Sequence, residues 1–170
     1  VILAFSYPSK NASSNWMALG ASLKIRYGRA RAIPYLPHRP LALFSGLSRR
    51  DLDLMARQTD VVKADAGKVL TRQGALGEEF LLIVDGSARV ERDGKPIARL
   101  EAGDFFGEMS LTDGKPRSAS VIAETRITLL VVDSRSFRSL LDAVPGLRRK
   151  ISVTLCERLR KADAGLAARN

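Results

Sequence analysis

The sequence predicts a mainly β domain with helices at both ends, and three observations predict it. Between residues 61 and 133 the chain breaks into seven short β-rich pieces, most of them closed by glycine: VVKADAG, KVLTRQG, EEFLLIVDG, SARVERDG, PIARLEAGDFFG, SASVIAE and ITLLVVD. Before this stretch, LALFSGLSRRDLDLMARQ has helical spacing, and after Asp133 the apolar period changes from strand-like to helix-like. Such strands, joined by tight turns, suit an antiparallel sandwich or barrel.

The N-terminal helix is placed by Ser48, a capping residue, followed by Leu52, Leu54 and Met55 on one face with Leu47 beside them. Among the strands, Arg92-Asp93-Gly94-Lys95 carries the Asp-Gly signal of a tight hairpin, and Ala88 and Val90 alternate against Arg89 and Glu91. Beyond Asp133, SRSFRSLLDAV predicts a helix with Phe137, Leu140 and Leu141 on one side, and Pro145 opens another. In that last segment Leu147, Ile151, Leu155, Leu159, Ala162 and Leu166 recur every three or four residues. A helix of about twenty residues is roughly 30 Å long, enough either to meet a twin in a homodimer through 147–166 or to pack on its own domain.

Composition narrows the function. The net charge of +10 is concentrated at the start: residues 1–50 hold eight Lys or Arg and no acid, leaving 20 basic and 18 acidic residues for 51–170. Residues 1–40, interrupted by Pro34, Pro37 and Pro40, are expected to be a basic, poorly ordered leader ahead of a domain over 41–170. An acid-free leader with Arg and Ser is compatible with a transit peptide, a phosphate-binding arm, or extension upstream of a start at Met17. Cys156 is the single cysteine, so no internal disulfide forms, and no apolar run is long enough to span a bilayer; a cytoplasmic location is expected. Metal-dependent barrel enzymes need several histidines, whereas His38 in the Pro-rich leader is the single one here, so neither a metal site nor catalysis is expected.

The chemistry concentrates in FFGEMSLTDGKPRSASV, residues 105–121. Gly107 lets a ligand approach the backbone, and Glu108-Met109-Ser110-Leu111 can form a helical turn whose N–H groups face an anion. Glu108 offers oxygens to a sugar hydroxyl, and Arg117, nine residues on, can grip two phosphate oxygens. Ser118 and Ala119 are small enough for their N–H groups, and the Ser118 hydroxyl, to reach the same anion.

Phe106-Gly107-Glu108 followed by Pro116-Arg117-Ser118-Ala119-Ser120-Val121 closely resembles the phosphate-binding cassette of cyclic nucleotide-binding domains. The resemblance runs over about residues 42–165, with Gly67, Gly74, Gly86 and Gly103 matching the family's glycine pattern. It implies an eight-stranded jelly-roll sandwich, or double-stranded β-helix, over about 58–133, a short N-terminal helix, and B and C helices over about 134–166. It further implies that Glu108 binds the ribose 2′-hydroxyl and Arg117 the cyclic phosphate, helped by the backbone of Gly107, Met109, Ser110, Ser118 and Ala119, with Val90, Ile97 and Leu100 as an apolar wall.

The implied ligand is cyclic AMP or cyclic GMP. Ser118 resembles the serine of bacterial cyclic AMP receptors, where cyclic GMP-selective members often carry threonine, so cyclic AMP is favoured. Family members that cap the base from the C helix do so near Ala162 and Asp163, but the threonine and serine typical there are absent. The implied activity is allosteric sensing that moves the C-terminal helices for an unidentified downstream effector. A jelly-roll dimerisation module with an empty pocket is the alternative. Because the sequence stops at Asn170, no helix-turn-helix is expected after the C helix, and DNA binding is not expected.

Overall fold

The computed structural model describes residues 26–27 and 42–167. The remainder of the leader, with His38, Met17 and the prolines, lies outside the described residues. In chain order the elements are β1 (Arg26–Tyr27), a 3-10 turn (Ala42–Phe44), α1 (Arg49–Arg57), β2 (Asp60–Ala64), β3 (Val69–Thr71), β4 (Glu79–Asp85), β5 (Ser87–Arg92), β6 (Lys95–Glu101), β7 (Phe105–Phe106), α2 (Glu108–Asp113), β8 (Ser120–Ala123), β9 (Ile127–Asp133), α3 (Ser134–Ala143) and α4 (Pro145–Ala167). One sheet has the order β1-β2-β9-β4-β7 and the other β3-β8-β5-β6, with every pairing antiparallel. Strands β2 to β9 form the expected two-sheet sandwich. The piece PIARLEAGDFFG splits into β6 and β7, because Gly103 takes a φ of 101° and turns the chain from one sheet to the other.

Two hydrophobic layers explain the strand patterns. On β4, Leu81 and Ile83 face the interior between the sheets, while Phe80 and Leu82 face the helices; on β9, Leu129 and Val131 face inward and Leu130 and Val132 outward. Both strands are therefore buried on both faces, which is why EEFLLIVD and ITLLVVD are nearly continuous apolar runs. The inner layer also holds Ala88, Leu100, Phe106 and Val121, and the outer layer holds Met55, Phe105, Phe137, Leu140, Leu147 and Ile151. Phe80 stacks on Phe137 at 4.8 Å between ring centroids and tilts against Phe105 at 5.4 Å, tying α3 to β4 and β7.

The helices begin where their caps dictate. Ser48 Oγ accepts from the Asp51 N–H and Asp51 Oδ2 accepts from the Ser48 N–H, a reciprocal box worth about 1 kcal/mol. Asp133 ends β9 and caps α3, accepting from the Arg135 and Ser136 N–H groups at 3.0 Å; burial raises its pKa, but these bonds outweigh burial and hold it below the ordinary value. Helix α4 does not present one uniform apolar stripe. Leu147 and Ile151 are buried in their own domain and Leu155 packs beside them, whereas Leu159 is 62% exposed. Leu147, Ile151 and Leu155 are thus committed internally, and Val153, 49% exposed, and Leu159 are left as apolar side chains for another surface. Lys150 Nζ donates to the Ala42 carbonyl and to Ser45 Oγ, both at 2.6 Å, seating the 3-10 turn on α4.

Candidate functional site

The site is built where β7 ends. Gly107 caps α2 with a φ of 90°, a conformation that strains any residue with a side chain. A Cβ there would also collide with Arg117 Nη1 and the Glu79 carbonyl, so this glycine makes room for an arginine of the same chain rather than for a ligand alone. Gly77 has the same duty: a Cβ on it would overlap the Arg117 guanidinium. Helix α2 runs from Glu108 as the sequence predicts, and buries Glu108, Ser110 and Leu111 while leaving Met109 half exposed.

Glu108 and Arg117 are both nearly inaccessible, at 3% and 6% of their surface, but they do not bond to each other. Arg117 Nη1 donates to the Gly107 carbonyl at 2.8 Å, and Nη2 donates to the Glu79 carbonyl at 2.8 Å and to Glu79 Oε2 at 3.3 Å. Of its five N–H groups, Nε–H and the second Nη1–H have no protein acceptor among the described residues. Burial lowers the Arg117 pKa, opposed by the Glu79 carboxylate and, more weakly, by Glu108. Glu108 is met from the other side. Arg158 of α4 donates from Nη1 to Glu108 Oε1 at 3.2 Å and from Nη2 to the Phe105 carbonyl at 2.6 Å, with its guanidinium carbon 4.7 Å from the Phe105 ring centroid. Glu108 Oε2 is buried and has no hydrogen-bond partner among the described residues. Burial accordingly pushes the Glu108 pKa above the ordinary glutamate value, against its own backbone N–H and the charges of Arg158 and Arg117.

The remaining expected residues fall in different settings. Ser118 is exposed with its Oγ 3.8 Å from Met109 Sδ, and Ala119 is partly buried beside it. Leu100 is a core residue opposite Ala88, and Val90 packs against the same inner layer. Ile97 is 52% exposed because a bulge opposite Val90 and Glu91 leaves it between the paired residues Pro96 and Ala98, so the expected apolar wall is not one continuous face. Ala162 and Asp163 are exposed on α4. Glu79, Gly77 and Arg158 were not singled out by sequence reasoning. Glu79 is half of an acidic pair opening an otherwise apolar strand, and Arg158 lies on the apolar side of α4, three residues from Leu155 and four from Ala162; those were the available signals.

Residues 61–144 match the cyclic nucleotide-binding domain, and this domain of the chain belongs to that family. A cyclic nucleotide-gated potassium channel of Rhizobium etli is 40% identical over 93 residues, covering 55% of this chain and 26% of the channel. A cAMP-dependent protein kinase regulatory subunit of Schizosaccharomyces pombe is 36% identical over 108 residues, covering 63% of this chain and 26% of the subunit. The chain thus spans about a quarter of the length of these curated relatives. Among solved structures, the catabolite activator protein of Thermus thermophilus superposes with a TM-score of 0.66 at 32% identity, covering 73% of this chain and 61% of that one. Among the described residues, no helix is long and apolar enough to cross a membrane.

Proposed function

We propose that this domain is a sensor, not a catalyst, that binds a cyclic nucleotide at the 107–119 loop, cyclic AMP in preference to cyclic GMP, and transmits binding to α3 and α4. The single observation that carries this reading is the orphaned, buried Glu108 Oε2. A buried acceptor without a donor costs about 1–3 kcal/mol, more when charged, so its persistence argues for a donor supplied from outside. A ribose hydroxyl is such a donor. Arg117, with two N–H groups still available, supplies the cation for the cyclic phosphate, joined by backbone N–H groups of Gly107, Met109, Ser110, Ser118 and Ala119. The base lies toward Val90, Leu100 and the half-exposed Ile97. Cys156, an exposed free thiol, suits a reducing compartment, the cytoplasm.

Transmission needs a ligand that distinguishes two arrangements. Arg158 supplies the means, since it bridges α4 to Glu108 and to the Phe105 carbonyl; a hydroxyl arriving on Glu108 changes what that carboxylate offers to Arg158. Phe105 then leads through Phe80 to Phe137 on α3. Calorimetric titration with cyclic AMP, cyclic GMP and AMP tests the assignment: cyclic AMP binds most tightly, and absence of heat with all three at millimolar concentration removes it. One observation favours the alternative, a dimerisation module with an empty pocket. Arg117 is already satisfied in part by Glu79, and a silent titration together with a stable dimer would select that reading.

A further inference from the structure

The geometry points to a positioning role for Gln73, Arg92 and Asp93: the tip of the β5–β6 hairpin aims the Ser118 and Ala119 N–H groups at the nucleotide without touching it. This rests on the nucleotide reading above. In a trans peptide the C=O and the following N–H point in opposite directions, so whatever holds a carbonyl also aims the next amide, and the described chain has no cis peptide. The Arg117 carbonyl accepts from the Gly74 N–H at 2.8 Å, which sets the direction of the Ser118 N–H. The Ser118 carbonyl accepts from Arg92 Nε at 3.2 Å, which sets that of the Ala119 N–H. These are the two amides assigned to the phosphate at the second end of the loop.

Both holders are fastened to the same turn. Gln73 Nε2 donates to Asp93 Oδ1 at 2.7 Å and Gln73 Oε1 accepts from the Asp93 N–H at 2.8 Å, so one amide side chain closes a ring with one residue. The orientation of that amide is unambiguous, because a carboxylate can only accept and a backbone N–H can only donate. Asp93 and Gly94 have φ values of 52° and 74°, the paired positive values of a two-residue hairpin turn, which places Arg92 and Asp93 side by side at the tip. The 73–75 segment then holds the loop twice more: the Gln73 N–H donates to Ser120 Oγ at 2.9 Å, and the Arg117 N–H donates to the Ala75 carbonyl at 2.8 Å. Gln73, Arg92 and Asp93 are exposed, where such bonds add little to global stability; their effect is on orientation. Donors held in place before binding need no ordering when the anion arrives.

The test compares wild type with Arg92→Ala, Gln73→Ala and Asp93→Asn, by cyclic AMP titration, thermal unfolding, and amide NMR of the ligand-free protein. Arg92→Ala and Gln73→Ala each weaken binding roughly fivefold, with unfolding temperature unchanged and the Ser118 and Ala119 resonances displaced. Asp93→Asn, which keeps an acceptor and tolerates the turn, retains wild-type affinity. Gln73→Ala removes no charge, so an equal loss in that variant separates orientation from simple attraction by the Arg92 cation. Wild-type affinity in both alanine variants overturns the role. Should wild type bind no nucleotide while Arg92→Ala still moves both amides, the ligand assignment falls and the orienting role stands; amides unmoved in both variants overturn it whatever the nucleotide does.

Discussion

Glu108 and Arg117 stand nine residues apart on one loop, both withdrawn from solvent, and they are held by opposite parts of the molecule. Arg117 is gripped by the sandwich: its partners are Glu79 at the start of β4 and the Gly107 carbonyl, and Gly77 and Gly107 leave the space it fills. Glu108 is gripped by a helix outside the sandwich, through one oxygen, and its other oxygen has no hydrogen-bond partner among the described residues. On the nucleotide reading proposed above, the difference divides the labour: the arginine end, held by the sandwich, serves affinity, and the glutamate end, completed by α4, is where occupancy is read out.

The largest effect belongs to the arginine end. If Arg117 holds the cyclic phosphate as proposed, Arg117→Ala weakens cyclic AMP binding by about 2–5 kcal/mol in calorimetry. It also leaves the Glu79 carboxylate without its partner, so a modest fall in unfolding temperature accompanies it. Unaltered affinity in this variant would show that the anion sits elsewhere. At the other end, Glu108→Gln exchanges a charged acceptor for a neutral one and loses about 1.5–3 kcal/mol of binding.

Glu108 also gives the site a pH signature. Its folded-state pKa is raised, chiefly by burial, so folding binds its proton more tightly than the unfolded chain does: its contribution to stability is complete below the unfolded value and is lost as pH rises through the folded one. Binding has the opposite preference, because a hydroxyl donates best to the ionised carboxylate. Cyclic AMP affinity therefore weakens on acidification, beginning at a higher pH than an ordinary glutamate would impose, and Glu108→Gln flattens the profile. A wild-type profile with no slope in that range would separate Glu108 from the ligand.

The readout end is tested through Arg158. Cys156, exposed and the single cysteine, allows a fluorophore to be placed on α4 beside it. Nucleotide changes the emission of this label in wild type, and in Arg158→Ala the change is lost while nucleotide still binds; the same variant leaves the buried Glu108 carboxylate without its donor, so its unfolding temperature falls. A full response without Arg158 would move the transmission to the Phe105–Phe80–Phe137 stack.

How far all this was legible in the residues follows from the range of each interaction. Capping at Ser48, the Asp93-Gly94 hairpin, the helix opened by Pro145 and the turn after Gly107 depend on neighbours in sequence, and the structure has each of them in place. The two-faced burial of β4 and β9 was visible as apolar runs, but the layer each side chain joins depends on helices packed from far along the chain. The partners of the two buried charges were not visible for the same reason. Glu79 lies 38 residues from Arg117, and Arg158 lies 50 from Glu108, on a helix whose stripe marked only its apolar contacts. The bulge at Ile97 was likewise hidden, since a register shift leaves no composition of its own.

The smallest effect on folding tests the far half of α4. Leu155 packs against the outer layer, so Leu155→Glu places a charge against the core and reports on stability, not on association. Leu159 is 62% exposed and is the clean probe. If the part of the helix beyond Leu155 pairs with a second copy, Leu159→Glu converts a dimer to a monomer in sedimentation while the unfolding free energy of the isolated domain stays within about 0.5 kcal/mol. A wild-type chain that sediments as a monomer at tens of micromolar, or a dimer indifferent to Leu159→Glu, removes the pairing. The glutamate end would then have to signal through the position of α4 on its own domain, through Arg158 and through the cluster in which Leu111 of α2 packs with Leu147, Ile151 and Leu155.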